Sequence, residues 1–286
     1  RPIKLLRKLT AEMGQSKAEE YFLNSLHVSQ EKTALSVRTM QHEQPILAAS
    51  KPESFSLYIS IPFCPTRCAY CSFVAQSTEK TGKLIPQYVD LLCKELEYTA
   101  EVAKACNLRL ETVYMGGGTP TTLNAQQLGQ IIDTVNKNFD MNTCREFTVE
   151  AGRPDTITAD KLQAMKERGI TRISINPQTL NDEVLNLIGR DHTTQQTLDA
   201  FHLARAHGFD NINMDLILGL PGEDAADVRN TMEEIMKLAP DNVTVHTLAV
   251  KRASRLREEL AQHDMTTAEA LEEMLDISAE YAERMG

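Results

Sequence analysis

The chain has 286 residues, 42% of them hydrophobic, and a formal net charge of −10 from 40 acidic against 30 basic side chains. That length and apolar content suffice for one large or two ordinary domains, whereas the acidic balance opposes a general nucleic-acid binder, which needs a basic face to displace counterions from phosphates. No apolar run approaches the roughly 20 residues that cross a bilayer and no signal peptide is visible, so no membrane span is expected and the six cysteines are expected to be cytoplasmic thiols or ligands.

Residues 1–52 read as a helical N-terminal segment, with Leu5, Leu9, Tyr21, Leu23 and Leu26 interleaved with charges and no β-rich run. The basic start, Arg1, Lys4, Arg7 and Lys8, reads as a solvated helix face because acidic residues follow within a few turns. The chain begins without Met and stops at Met285-Gly286 inside a helix expected over 267–284. It therefore reads as a piece of a longer chain, with 261–286 the start of a C-terminal helical region.

From Phe55 the pattern changes to β-branched runs alternating with amphipathic helices, which marks 53–260 as a core of successive βα units. Six strands are expected, at 56–61, 111–115, 146–151, 172–176, 211–218 and 242–248. Between them, Leu128, Ile131, Ile132, Val135 and Phe139 recur on one helix face, and Gly169, Gly189 and Gly208 follow apolar helical runs where a left-handed residue is wanted. Six right-handed βα units curl but fall short of the eight that close a barrel. The expected fold is α/β, a partial (β/α)6 TIM-like three-quarter barrel; an open doubly wound sheet is the alternative.

Ligands of such sheets sit at the C-terminal strand ends, and all six expected ends carry polar or glycine-rich residues. After the first comes Ile61-Pro-Phe-Cys-Pro-Thr-Arg-Cys-Ala-Tyr-Cys-Ser-Phe73, with Cys64, Cys68 and Cys71 inside eight residues. Three thiolates with one coordination position left over suit an iron–sulfur cubane that binds a small molecule, or a zinc site closed by a distant His. After the second comes Gly116-Gly-Gly-Thr-Pro120, whose backbone N–H and C=O groups are expected to face a ligand's carboxylate and ammonium. Glu150 ends the third strand, with Arg153 just beyond it. Asn176-Pro177-Gln178 follows the fourth strand, and Arg190 the short helix after it. Asp215 lies in the fifth strand, which runs into Gly219-Leu-Pro-Gly222. His246 and Ala249 end the sixth, followed by Lys251, Arg252 and Arg255. Cys93, Cys106 and Cys144 read as ordinary small side chains.

Cys-x-x-x-Cys-x-x-Cys with Tyr70 before the last cysteine, followed one βα unit later by Gly-Gly-Gly-Thr-Pro, resembles the radical S-adenosylmethionine (SAM) superfamily. That resemblance retires the zinc reading. Over roughly Phe55 to Leu256, the motifs Tyr58-Ile-Ser-Ile-Pro-Phe-Cys64, Val149-Glu-Ala-Gly-Arg-Pro-Asp155, Ser174-Ile-Asn-Pro-Gln178 and Asn213-Met-Asp-Leu-Ile-Leu-Gly-Leu-Pro-Gly222 resemble the oxygen-independent coproporphyrinogen III oxidase group. Ile173-Ser-Ile-Asn-Pro-Gln-Thr-Leu180 and Val245-His-Thr-Leu-Ala-Val-Lys-Arg-Ala-Ser254 resemble its HemZ-like branch most.

The resemblance implies a [4Fe–4S] cluster on Cys64, Cys68 and Cys71, with SAM on the unique iron and a one-electron donor of flavodoxin or ferredoxin type. It implies radical decarboxylation of coproporphyrinogen III propionates to vinyl groups, giving protoporphyrinogen IX. Gly117, Gly118 and Thr119 would meet the methionine ammonium, Glu150 the ribose, and Gln178, Arg190 and Asp215 the rest of SAM. Arg190 would give two parallel donors to the methionine carboxylate. Tyr58 and Phe73 match positions near the cluster and adenine, and Ala249 a backbone contact to adenine. Beyond cluster and SAM pocket no catalytic residue is assigned. Arg153, Lys251, Arg252 and Arg255 are candidates for the propionates of a tetrapyrrole. Two positions depart from the best-studied branch, which has His at Ser60 and Cys at Phe73. Ser60 does not donate a proton as His does near neutral pH, so the substrate side is expected to differ in mechanism or in substrate. The Cys-Ser-Phe ending also resembles the related haem chaperones, and methyltransferases and haem-degrading enzymes share much of the sheet.

Overall fold

Contacts divide the chain, described over residues 2–73 and 75–286 in a computed structural model, into two units, Arg1–Ser54 and Phe55–Gly286. The first unit is three helices: α1 (Pro2–Met13), α2 (Gln15–Asn24) and α3 (Gln30–Ala49). Its small core is Leu6, Leu9, Ala18, Phe22 and Met40. Of the apolar residues that mark the helical pattern in the sequence, Leu9 alone is in that core; Leu5, Tyr21, Leu23 and Leu26 are exposed. Ser29 caps α3 by accepting from the Lys32 N–H at 3.2 Å, and Arg7 pairs with Glu43 across the helices.

The second unit is built on β1 (Ser54–Ile61), β2 (Arg109–Gly117), β3 (Glu146–Glu150), β4 (Arg172–Ser174), β5 (Ile212–Leu218) and β6 (Asn242–Thr247). Spatial order equals chain order, and the registers from β2 through β6 are all parallel. A doubly wound sheet reverses its order at a switch point; this sheet does not, so its crossovers all progress the same way and six strands make a curled, unclosed barrel. The crossovers carry α4 (Ile85–Ala105), α5 (Ala125–Asn138), α6 (Ala159–Lys166), α7 (Asp182–Leu187), α8 (Thr194–Ala206) and α9 (Ala225–Leu238). Capping boxes start three of them: Asn124 with Gln127, Thr193 with Gln196, and Asp224 with Asp227. A last helix, α10 (Ala268–Met285), lays Met274, Ile277 and Tyr281 into the same core, with the Tyr281 hydroxyl donating to Glu233 of α9 at 3.0 Å.

Strand alternation sorts the side chains into two sets. One face is apolar and buried: the register Met115, Val149, Ile173, Ile212 runs across four strands. The other is polar: Thr112 pairs with Glu146, Tyr114 with Thr148 and Arg172, and Glu150 with Ser174 and Asn213. Closed barrels fill this inner face with Val, Ile and Leu. Here its hydroxyl, amide and carboxylate groups bond one another, as in Thr148 to Glu146 at 2.8 Å and Thr244 to Asn213 at 3.0 Å.

The turn after β5 ends in Glu223, which is only 7% exposed and whose Oε2 has no partner among the described residues. Burial pushes its carboxyl up from 4.5 to about 7. The unfolded chain therefore sheds this proton at lower pH than the folded one and binds fewer protons between those values, so stability falls as pH rises through that window. Relative to Glu223→Gln, the protein is expected to lose about 2 to 3 kcal/mol between pH 5 and pH 8. Urea denaturation at both pH values checks this; a parallel pH dependence in the two proteins would refute it.

Candidate active site

The cysteine loop leaves β1 at Ile61 and is stitched to three other strand ends. From the loop after β2, the Gly118 N–H donates to the Ile61 carbonyl and the Thr119 N–H to the Phe63 carbonyl, both at 2.8 Å, and the Thr119 hydroxyl reaches Cys64 Sγ at 3.5 Å. From the loop after α7, the Ile188 carbonyl accepts from Ala69 N–H at 2.8 Å and the Gly189 carbonyl from the Thr66 hydroxyl at 3.0 Å. From the segment after β6, Leu256 N–H donates to the Ala69 carbonyl, and the Ala253 carbonyl accepts from Arg67 Nη2, both at 2.8 Å. Tyr70 packs on Val184, Leu185, Ile188 and Leu220. The glycine triplet permits this closeness: Gly117 has φ +104°, and a Cβ on it would lie 2.8 Å from Ser60 Oγ.

Above the strand ends lies a cavity of about 460 Å3, within the ordinary size range for a small-molecule cofactor. Cys64, Cys68, Cys71, Phe73, Gly117, Gly118, Thr119, Glu150, Gln178, Arg190, Asp215 and Ala249 all line it. Tyr58 does not: it is 58% exposed and stacks at 6.0 Å on Tyr114, whose hydroxyl donates to Glu150. Burial pushes the Cys64 and Cys71 thiols up, with the Thr119 hydroxyl opposing this at Cys64; a bound metal would deprotonate them outright.

Three expectations change in detail. The N–H groups of Gly118 and Thr119 are spent on the cysteine loop, so carbonyl oxygens are what this loop can offer a ligand. Arg190, 5% exposed, gives Nη1 to the Asn176 carbonyl at 2.5 Å and Nη2 to the Gly152 carbonyl at 2.8 Å, leaving its buried Nε without a partner among the described residues. Arg153 forks onto Asp155 at 3.0 and 3.2 Å and donates to Thr66, so it is not free for a propionate. Arg252 and Arg255 are off the cavity wall, Arg255 pairing with Glu259, and Lys251 remains on it.

Gln178 sits at φ +73°, strained for a residue with a Cβ, and its backbone bridges to β5 through Asp215 O and Ile217 N. Asn176, whose buried Oδ1 lacks a partner among the described residues, and Tyr114, which fixes Glu150, are site residues that the strand-end reading leaves unassigned. Alternation along β2 signals Tyr114, since it shares the inner face with Glu150. Beside Arg190, His192 is buried, and that burial together with the charges of Arg190 and Arg153 pushes it down to about 3, so it is neutral. Nothing short-range in the sequence signals it.

The sequence pattern of the radical SAM superfamily matches residues 58–235, which include the cysteine loop and every strand end through β5. The chain belongs to the radical SAM superfamily. It is 38% identical to the oxygen-independent coproporphyrinogen-III oxidase-like protein HemZ of Bacillus subtilis (strain 168), over all of this chain and 58% of that one. It is 36% identical to the heme chaperone HemW of the same organism, over 68% of this chain and 51% of that one. The solved structure of Escherichia coli HemN, described as a coproporphyrinogen III oxidase and radical SAM enzyme, superposes with a TM-score of 0.70 at 26% identity, covering 85% of this chain and 56% of that one. The chain thus spans a little over half the length of these relatives.

Radical SAM proteins hold a [4Fe–4S] cluster and SAM, and the donors here fit both. Among the described residues no three His, Cys, Asp or Glu side chains converge as one metal ion requires. A cubane asks less convergence, because each thiolate takes a different iron. On the other cavity walls, the orphaned Arg190 Nε and Asn176 Oδ1, with Glu150 and Asp215, present donor and acceptors that suit an amino acid and a ribose.

Proposed function

We propose that this radical SAM protein carries out oxidative decarboxylation of coproporphyrinogen III propionates to vinyl groups, giving protoporphyrinogen IX. What carries the reading is one cavity that unites three cysteine thiols with the glycine loop, Glu150, Gln178, Arg190 and Asp215. When bound, cluster and SAM supply a carbon-centred radical that abstracts hydrogen; the chain positions and shields them. Cys64, Cys68 and Cys71 would hold the cluster. Carbonyl oxygens at Gly117 and Gly118 would accept from the methionine ammonium, while Arg190 Nε would face its carboxylate. Glu150, held by Tyr114, would accept from the ribose, and Phe73, 65% exposed at the cavity, would border the adenine with Ala249. The electron would come from a flavodoxin- or ferredoxin-type donor in the cytoplasm, with residues 53–260 as the catalytic core.

The test is anaerobic reconstitution of the full chain, then SAM, reductant and coproporphyrinogen III. The expected products are 5′-deoxyadenosine, carbon dioxide and protoporphyrinogen lacking two carboxyls of the substrate. Deoxyadenosine without decarboxylation would point to a different radical substrate. A second reading, haem chaperone, is favoured by the likeness to HemW and by Ser60, whose Oγ lies beside Gly117 of the glycine loop. Stoichiometric haem binding and transfer without decarboxylation would select it.

A further inference from the structure

The cysteine loop and the segment after β6 that packs on it carry a concentration of positive charge. Residues 61–75 hold Arg67 and no carboxylate, and residues 246–257 hold Lys251, Arg252, Arg255 and Arg257 and again no carboxylate, in a chain of net charge −10. The two segments abut through the Arg67–Ala253 and Leu256–Ala69 hydrogen bonds. Arg255 Nη2 approaches Gly189, as does the Arg67 carbonyl, so this cation too gathers beside the loop. All five side chains are exposed. Arg255 is paired with Glu259, but among the described residues no carboxylate lies within ion-pair distance of Arg67, Lys251, Arg252 or Arg257. Solvated cations near a cluster otherwise surrounded by an acidic protein are a local field of opposite sign to the whole.

We propose that this surface docks an acidic one-electron carrier protein of the flavodoxin or ferredoxin class. The inference rests on the radical reading of the cavity. SAM would fill the cavity side of the three cysteines, so the donor must approach from the loop's other side, where Arg252, Arg255 and Arg257 lie off the cavity wall, while Arg67 and Lys251 line the cavity beside them. In the step, the reduced carrier loses one electron and the cluster gains it, with no bond made or broken. Complementary charge raises such association rates by about 10- to 1000-fold and is screened by salt.

The test follows cluster reduction in the reconstituted full chain by stopped-flow absorbance, with a purified bacterial flavodoxin hydroquinone as donor. The double variant Arg252→Glu/Arg257→Glu, on residues off the cavity wall, is expected to slow reduction at least about tenfold at low ionic strength. The deficit should shrink in 0.5 M salt, with about the Debye length contracting below 5 Å. Photoreduction by a small deazaflavin should proceed equally in both proteins, and Arg252→Lys/Arg257→Lys should restore the flavodoxin rate. Equal flavodoxin rates at low salt would overturn the proposal, as would slowing of the photoreduction to the same degree. Coproporphyrin affinity lost with the flavodoxin rate kept would assign the patch to propionates instead. A wild-type chain with no reducible cluster would instead sink the radical reading itself.

Discussion

Cys68→Ser, in the anaerobically reconstituted chain, is expected to lose iron and sulfide and to cut reductive SAM cleavage by more than about a hundredfold. Partners that merely orient a metal ligand are worth about 10- to 100-fold, and this change removes a ligand itself. Cys68 lies on the cavity wall with Cys64 and Cys71, and on the proposed reading each holds a different iron, so no neighbour substitutes for it. Cys106 is exposed and off the cavity, which makes Cys106→Ser the control expected to leave iron content and cleavage unchanged. Iron and deoxyadenosine assays decide it. Retention of both by Cys68→Ser would remove the cluster from this loop.

Gly118→Ala is expected to destabilise the chain by about 3 to 5 kcal/mol and to lower iron uptake with it. An added Cβ would lie 2.6 Å from the Phe63 carbonyl oxygen, 2.8 Å from that of Ile61 and 3.0 Å from Cys64 Sγ. Two of these are backbone atoms of the cysteine loop and cannot swing away. The loop after β2 would have to retreat, at about 1 to 3 kcal/mol for the overpacking and about 1 kcal/mol for each hydrogen bond lost from Gly118 and Thr119. At Gly82 an added Cβ meets nothing within 4 Å. Gly82→Ala should therefore stay within about 0.5 kcal/mol of wild type. Urea denaturation of the two variants checks the contrast; similar midpoints would mean that the glycine loop and cysteine loop do not touch as described.

The six strands and their helices were legible because apolar residues alternate in short β-branched runs and recur at helical spacing between them. Where strand limits differ, the cause is local. β4 ends at Ser174 rather than 176 because Pro177 has no N–H to extend the ladder and Gln178 turns into the left-handed region. Gly169, Gly189 and Gly208 adopt φ +82°, +74° and +81°, as their places after helices predict. What the sequence hides is long-range pairing. Whether Arg190 faces a ligand or a carbonyl depends on Gly152, 38 residues away, and whether Arg153 is free depends on how its fork meets Asp155 and Thr66. Tyr58 is the same case: nothing near it in the chain says that it leans on Tyr114 instead of the cavity.

The stitching of the cysteine loop bears on how the metal site is made and remade. In zinc fingers the ion organises the chain, and without it the chain unfolds. Here the carbonyls of Ile61, Phe63, Ile188, Gly189 and Ala253 are engaged across four strand ends by bonds that need no metal. Iron and sulfide would therefore enter a seat whose ordering entropy has already been met by folding. On the proposed reading, a cluster destroyed by oxygen is expected to leave behind a folded, reloadable scaffold, so that repair would be a matter of inorganic supply and not of refolding.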